Sequence, residues 1–322
     1  MREFAFELAV CAALEADSDG VVARQLGTHT RIVDVVEVRP GPEFDRRTEI
    51  TPEAIPGPAI ESDVGVGRAR LPTEAIDLSP GRASAVADRA VDVGFFEAER
   101  RGGRRYVRRT TAYPAWIGGL CAFENKPDLG RPGELELQLR KDVSLSLFDE
   151  VVLVTGSYVT GAHLNRLPDP VGVWRFDAET GSFETVREAE PLSASKPGIA
   201  VLEESPTEVE IEPVGAAEKA RLRRRVAERA YGKGWRPDAM PDCEEAAARG
   251  TAFAGDDALP HCAWKGRFVD PARECGPACP GYEPAEPPEA DATAVRDEKS
   301  GWVADPSGVA RRQVGLDRFR EE

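Results

Sequence analysis

Residues Glu124, Asn125 and Lys126 close a short apolar run that begins near Leu120, and a Pro/Gly-containing turn follows them. Side chains alternate across a strand, so the carboxylate of Glu124 and the ammonium of Lys126 share a face. A carboxylate beside an ammonium, next to a helix, is a place to hold a divalent metal and a water. A second acid, Asp34, interrupts the β-branched run from Arg31 to Val38. Buried without a partner it would be costly; in a central strand it needs a cation, and at an edge it faces water.

Two other clusters carry chemistry. Four of the six cysteines, Cys243, Cys262, Cys275 and Cys279, crowd into 37 residues, with His261 beside the second. Four thiolates can close a tetrahedral zinc site or hold an iron–sulfur cluster. The intervening gaps of 18, 12 and 3 residues match neither paired CxxC knuckles nor a ferredoxin run. The surrounding text is rich in turn residues and poor in apolar periodicity, so a metal would supply folding free energy that this segment's own core lacks. Cys11 and Cys121 fall in apolar runs and read as buried core thiols. The third cluster is basic: Arg100, Arg101, Arg104, Arg105, Arg108 and Arg109 flank Gly102-Gly103, with no acid among residues 100–109. In a chain of net charge -15 such a ribbon is a candidate contact for nucleic-acid phosphates.

The elements that must position these residues follow from periodicity. Residues 3–16 read as a buried helix carrying Glu3 and Glu7 one turn apart. Residues 21–38 read as two strands around a polar turn. Five prolines between 40 and 58 break the core; helix-like segments at 71–76 and 84–91 then lead to a hairpin about Gly102-Gly103. Leu135, Leu137 and Leu139 alternate as in a strand, but the Leu/Glu/Gln/Arg/Lys content favours a helix, with Gln138 and Asp142 on one face. Val151 to Thr155 reads as a strand and 171–187 as a hairpin. Residues 213–236 read as a basic helix, and 284–322 as an acidic, poorly ordered tail.

Length and charge bound the classes. At 322 residues the chain is long enough for two or three domains. Only seven of its 42 basic residues are lysine. That acidic, lysine-poor balance fits a high-salt cytosol, where screening within about 3 Å at ~1 M salt tolerates dense surface acid. No apolar run reaches the roughly 18–20 residues needed to span a bilayer, and a cytoplasmic location without membrane partners is expected, with the cysteines as thiols or metal ligands.

The order of a helix with Glu7, a strand with Asp34, a strand closed by Glu124-Asn125-Lys126, a helix with Gln138 and the strand at 151–155 resembles the core of the PD-(D/E)XK nuclease superfamily. The resemblance covers about 1–48 and 116–190 and is to a haloarchaeal branch from which no activity carries over. It implies an α/β restriction-endonuclease-like core, a mixed sheet flanked by helices. Asp34 and Glu124 would bind Mg²⁺ or Mn²⁺, Lys126 would orient the attacking water, Glu7 would be an outer acid, and Gln138 would position metal-bound water or DNA backbone. Two departures stand out: a long insertion separates the acids, and Val33 rather than proline precedes Asp34. The expected organisation is a core split into 1–48 and 116–190 by a winged-helix-like insertion at 49–115. A linker and basic helix (191–240), a Cys-rich metal module (241–283) holding Zn²⁺ or an iron–sulfur cluster, and the tail (284–322) follow. The expected function is metal-dependent DNA cleavage, in repair or defence; the alternatives are a non-catalytic DNA-binding or regulatory protein of the same fold, and a halophilic scaffold whose cluster staples the C-terminus.

Overall fold

A computed structural model describes residues 2–130, 134–205, 207–237, 239–251, 258–292 and 294–295. Helix α1 (Glu3–Asp17) is buried on nearly every side from Ala5 to Glu15, as its near-continuous apolar text requires. Strands β1 (Val21–Gly27) and β2 (Ile32–Pro40) form an antiparallel hairpin running from Val21↔Val38 to Gly27↔Ile32. A single turn of helix, α2 (Phe44–Thr48), then carries the chain out of the sheet.

The excursion that follows folds around its own apolar cluster. It comprises α3 (Gly57–Ile60), α4 (Pro72–Ala75), α5 (Pro80–Asp92), β3 (Phe96–Arg101) and β4 (Arg104–Arg109). Ile55, Phe95, Phe96 and Val107 pack with Ala83, Ala87 and Ala90 from α5, a stripe at helical spacing whose small side chains admit close approach. Gly102 and Gly103 both have positive φ, 55° and 76°, which a two-residue hairpin turn of this hand demands.

The chain returns as β5 (Ile117–Asn125), which pairs antiparallel with β2. Helix α6 (Leu135–Leu145) connects β5 to the parallel strand β6 (Glu150–Thr155), so the helical choice for the Leu/Glu/Gln-rich run is the one adopted. After α7 (Gly161–Leu164), β7 (Gly172–Asp177) joins β6 in parallel and β8 (Ser182–Arg187) pairs back antiparallel. The result is an α/β fold with a mixed six-stranded sheet in the order β1-β2-β5-β6-β7-β8. One face, with Val22, Val35, Phe123 and Val154, is covered by α1.

The region expected to be linker is built differently. Strands β9 (Gly198–Glu204) and β10 (Val209–Val214) form a separate ribbon, and α8 (Ala216–Lys233) covers the second sheet face together with α6. Helix α8 buries Leu222, Val226, Ala227, Ala230 and Tyr231, so it is a core helix rather than an exposed basic rod. Its cations reach over the rim of that core: Lys219 to the carbonyl of Ser193, Arg223 to Leu147 and Asp149, Arg229 to Gly27, and Lys233 to Gln25. The ribbon escaped sequence reading because Ile199, Val209 and Ile211 stay exposed and give no buried periodicity.

The Cys-rich segment forms a three-stranded sheet, β11 (Ala246–Arg249), β12 (Leu259–Cys262) and β13 (Arg267–Phe268), followed by α9 (Pro271–Glu274). The expectation of a poorly ordered tail falls mostly outside the described residues. Among the described residues no helix is long and apolar enough to cross a membrane.

Candidate active site

The candidate acids meet where β2 and β5 part. The last ladder pair is Val35↔Phe123; the next position in register sets Asp34 opposite Glu124. There Asp34 replaces a backbone acceptor: its Oδ2 takes the N–H of Asn125 at 2.9 Å. On the other side of β2, Gln25 donates one amide to Glu7 at 2.7 Å and 3.4 Å to Asp34. Arg24 also pairs with Glu7, at 3.0 Å. Two successive β1 side chains thus reach the same helix, which plain strand alternation forbids. The backbone permits it through Gln25, which has φ 52°, a strained value for a residue with a Cβ and the kind of strain that gathers at functional sites.

A cation already sits on Glu124. Arg31 pairs with Glu124 at 2.9 Å and holds Asp142 of α6 through two further contacts, one of them Nε to Oδ1 at 3.1 Å. Burial opposes the Arg31 charge, but Asp142 and then Glu124 more than offset it and the guanidinium stays protonated. Burial and then the neighbouring Asp34 push the Glu124 carboxyl up to about 8, against the pull of Arg31. Burial likewise raises Asp34, with the Asn125 N–H opposing it, and raises Glu7 and Asp142. Four carboxyls around one strand end therefore share too little positive charge.

Asn125 adds a second unmet demand. Its side chain is 1% exposed, and neither its Oδ1 nor its Nδ2 has a hydrogen-bond partner among the described residues, a rare condition that calls for an explanation. The oxygen donors here suit a hard dication such as Mg²⁺ or Mn²⁺, and the charge deficit is of the sign such an ion relieves. In this conformation, however, no three histidine, cysteine, aspartate or glutamate side chains among the described residues gather closely enough to hold an ion.

Lys126, half-buried just past β5, ties its own N–H to Val154 at 2.8 Å. Its ammonium has no hydrogen-bond or ion-pair partner among the described residues. Gln138 is half-buried on α6, one turn before Asp142. Sequence reasoning placed Gln138 and Asp142 on one helix face but gave no role in the site to Asp142, Arg31, Gln25 or Asn125. A polar residue in the middle of β1 was the one available signal for Gln25.

The six hairpin arginines are not all free, which corrects the picture of a continuous basic ribbon. Arg101 pairs with Glu99, Arg105 with Asp88, and Arg108 with Glu97 at 2.6 Å. Arg109 folds inward onto the carbonyls of Ile60 and Ser62. The acids that neutralise the ribbon lie just outside residues 100–109, on β3 and α5. Arg100 and Arg104 alone of the six have no partner among the described residues, and Arg82, exposed on α5, has none either.

Cys11 and Cys121 are fully buried in the core, while Cys243 and Cys262 are buried and Cys275 and Cys279 half-buried within the small C-terminal sheet region; all six are free thiols. Comparison with known families finds a match over residues 21–284 to a family of unknown function, DUF5787. No curated protein matches the chain, and no solved structure does.

Proposed function

The chain belongs to the DUF5787 family, and from that starting point we propose that it is a metal-dependent nuclease of the PD-(D/E)XK type acting on DNA. The observation that carries this reading is the apposition of Asp34 and Glu124 across the parting of β2 and β5, with Lys126 two residues on and Glu7 linked through Gln25. Asp34 and Glu124 would hold Mg²⁺ or Mn²⁺. When bound, such an ion polarises a phosphate oxygen and lowers the pKa of a coordinated water.

The chain's own groups have the remaining roles. Lys126, which no carboxylate among the described residues engages, would orient the attacking water or neutralise charge developing on the phosphate. Glu7 and Gln25 hold Asp34 in place, and Gln138, one turn before Asp142 on α6, would position metal-bound water or DNA backbone. Arg31 must yield its hold on Glu124 for the carboxylate to take a dication, and Asp142 gives it an alternative anchor. The insertion supports a winged-helix-like reading: three helices, the last of them α5, precede the two-stranded β3–β4 ribbon, and an isolated Arg70↔Val107 bridge flanks it. Arg82, Arg100 and Arg104 are its candidate phosphate contacts.

A second reading, DNA binding without cleavage, is favoured by one observation: Arg31 already fills the cationic role beside Glu124. Cleavage of labelled single- and double-stranded DNA in high KCl with Mn²⁺ or Mg²⁺ separates the two. Metal-dependent cutting that Glu124→Ala and Lys126→Ala both abolish, with DNA retention intact, is the expected result. Retention without cutting by the unaltered protein selects the second reading, and neither cutting nor retention sinks both.

A further inference from the structure

Among the described residues of the segment from Pro241 to Glu283, apolar anchors are few. The buried ones are Leu259 and Val269, with Ala258 and two of the cysteines, and Leu259 and Phe268 pack toward α1 and Trp235. Yet the segment folds back on itself repeatedly, and each fold brings a cysteine toward the others.

Four contacts trace this. Ala246 pairs with Cys262 while its N–H closes a turn onto the Cys243 carbonyl at 2.9 Å, so Cys243 sits three residues from the Cys262 strand pair. Cys243 also bridges to Pro284, and its thiol approaches the Gly281 carbonyl at 3.8 Å, two residues beyond Cys279. Gly281 lies against Trp264, where a Cβ would stand 2.5 Å from the indole; Trp264 belongs to the turn that follows Cys262. Finally, Glu274, the neighbour of Cys275, is gripped by Arg267 of β13 at 3.0 Å, and its carbonyl accepts at 3.0 Å from Nζ of Lys265, a residue of that same turn.

The turn itself has the form that a metal thiolate favours. Cys262 ends β12, the chain reverses through Gly266 at φ 63°, and the Lys265 N–H points at the Cys262 sulfur at 3.4 Å. In this conformation no three of the sulfurs gather closely enough to hold an ion, and four thiols in one small segment would repel one another once ionised unless a cation drew them together.

We propose that Cys243, Cys262, Cys275 and Cys279 form a structural Zn²⁺ site that folds the C-terminal module, with the four sulfurs drawn inward on binding. Four thiolates satisfy tetrahedral zinc and leave no open position for substrate, so the site is a staple and is independent of the nuclease reading. His261 is not a ligand: it alternates to the far side of β12 and meets Phe268 edge-on at 5.7 Å.

The test uses the full chain, freed of metal under reducing conditions and titrated with Zn²⁺ or Co²⁺ alone. The expected results are a single zinc per chain by elemental analysis, and cobalt bands of tetrahedral, all-thiolate character. Cys243→Ser and Cys279→Ser should each lose the zinc, whereas Cys121→Ser and Glu124→Ala should keep it. The cobalt spectrum of the unaltered chain decides the case even where a serine variant fails to fold. Absence of zinc, zinc unchanged in the serine variants, cobalt bands without thiolate character, or isolation with iron and a sulfide chromophore would each overturn the proposal.

Discussion

Glu124 is the residue on which the candidate site turns, because its carboxyl titrates near neutrality for a stated cause. Folding raises its pKa from the ordinary value of about 4.3 to about 8 by burial and the adjacent Asp34. The protonated form is therefore the one the fold favours. Its stabilising contribution is complete below the unfolded pKa and is lost as pH rises through about 8. A dication inverts this preference, since it binds the carboxylate and competes with the proton. Mn²⁺ affinity measured by calorimetry should climb about tenfold per pH unit below that point and flatten above it; a flat profile from about pH 6 to about pH 9 would remove Glu124 from the metal site. Arg31 gives a second handle. Arg31→Met strands Glu124 and Asp142 without a cation, and a loss of about 3–5 kcal/mol in denaturant melts is expected. Mn²⁺ should then restore more stability to this variant than to the unaltered protein.

At the level of helices and strands, much of the framework was readable and the reasons are plain. α1, the β1–β2 hairpin, β5, β6 and β7 bury one face or both, so their apolar periods announce them. The acids Asp34 and Glu124 stood out as charges inside such periods. Arg31 did not, because it sits at a strand entry and reaches an aspartate 111 residues away. The cations of α8 misled for a related reason: local charge reads as a surface until the partner carbonyls across the sheet rim are known. The β3–β4 ribbon shows the same effect in reverse, since the acids that pair with its arginines stand just before residue 100, Glu97 and Glu99 on β3 and Asp88 on α5. This sharpens the DNA-binding prediction. Arg100→Ala with Arg104→Ala should weaken DNA retention and lower the salt dependence by about one unit per lost phosphate contact. Arg105→Ala with Arg108→Ala should do less in a shift assay run across KCl concentrations, since those side chains already hold Asp88 and Glu97.

Across the molecule, one buried ion pair ties the insertion, the sheet and α8 together. Arg47, wholly buried, grips Glu228 of α8 at 2.7 and 3.0 Å, donates to the Thr51 and Glu53 carbonyls, and stacks on Tyr231 at 3.9 Å. Glu228 in turn accepts from Tyr113 and from the Ile55 N–H, the two ends of the excursion. Removing one partner of a pair so desolvated leaves its charge uncompensated; Arg47→Ala should cost about 3–5 kcal/mol by chemical denaturation. Protection of Ile55 and Val107 amides from hydrogen exchange should fall with it if the pair couples the two units.

The base of that excursion has a consequence for chain length. Gly41 donates to the Trp116 carbonyl at 2.6 Å and Pro40 pairs with Ile117, so the chain leaves and re-enters the sheet at the same spot. Closing a longer loop there costs only about 0.6 kcal/mol for each doubling of its length. A short hairpin turn could grow into a folding unit at this point without moving a single residue of the β2–β5 ladder. The length of chain between Asp34 and Glu124 can therefore vary without altering how the two acids face each other across the β2–β5 ladder.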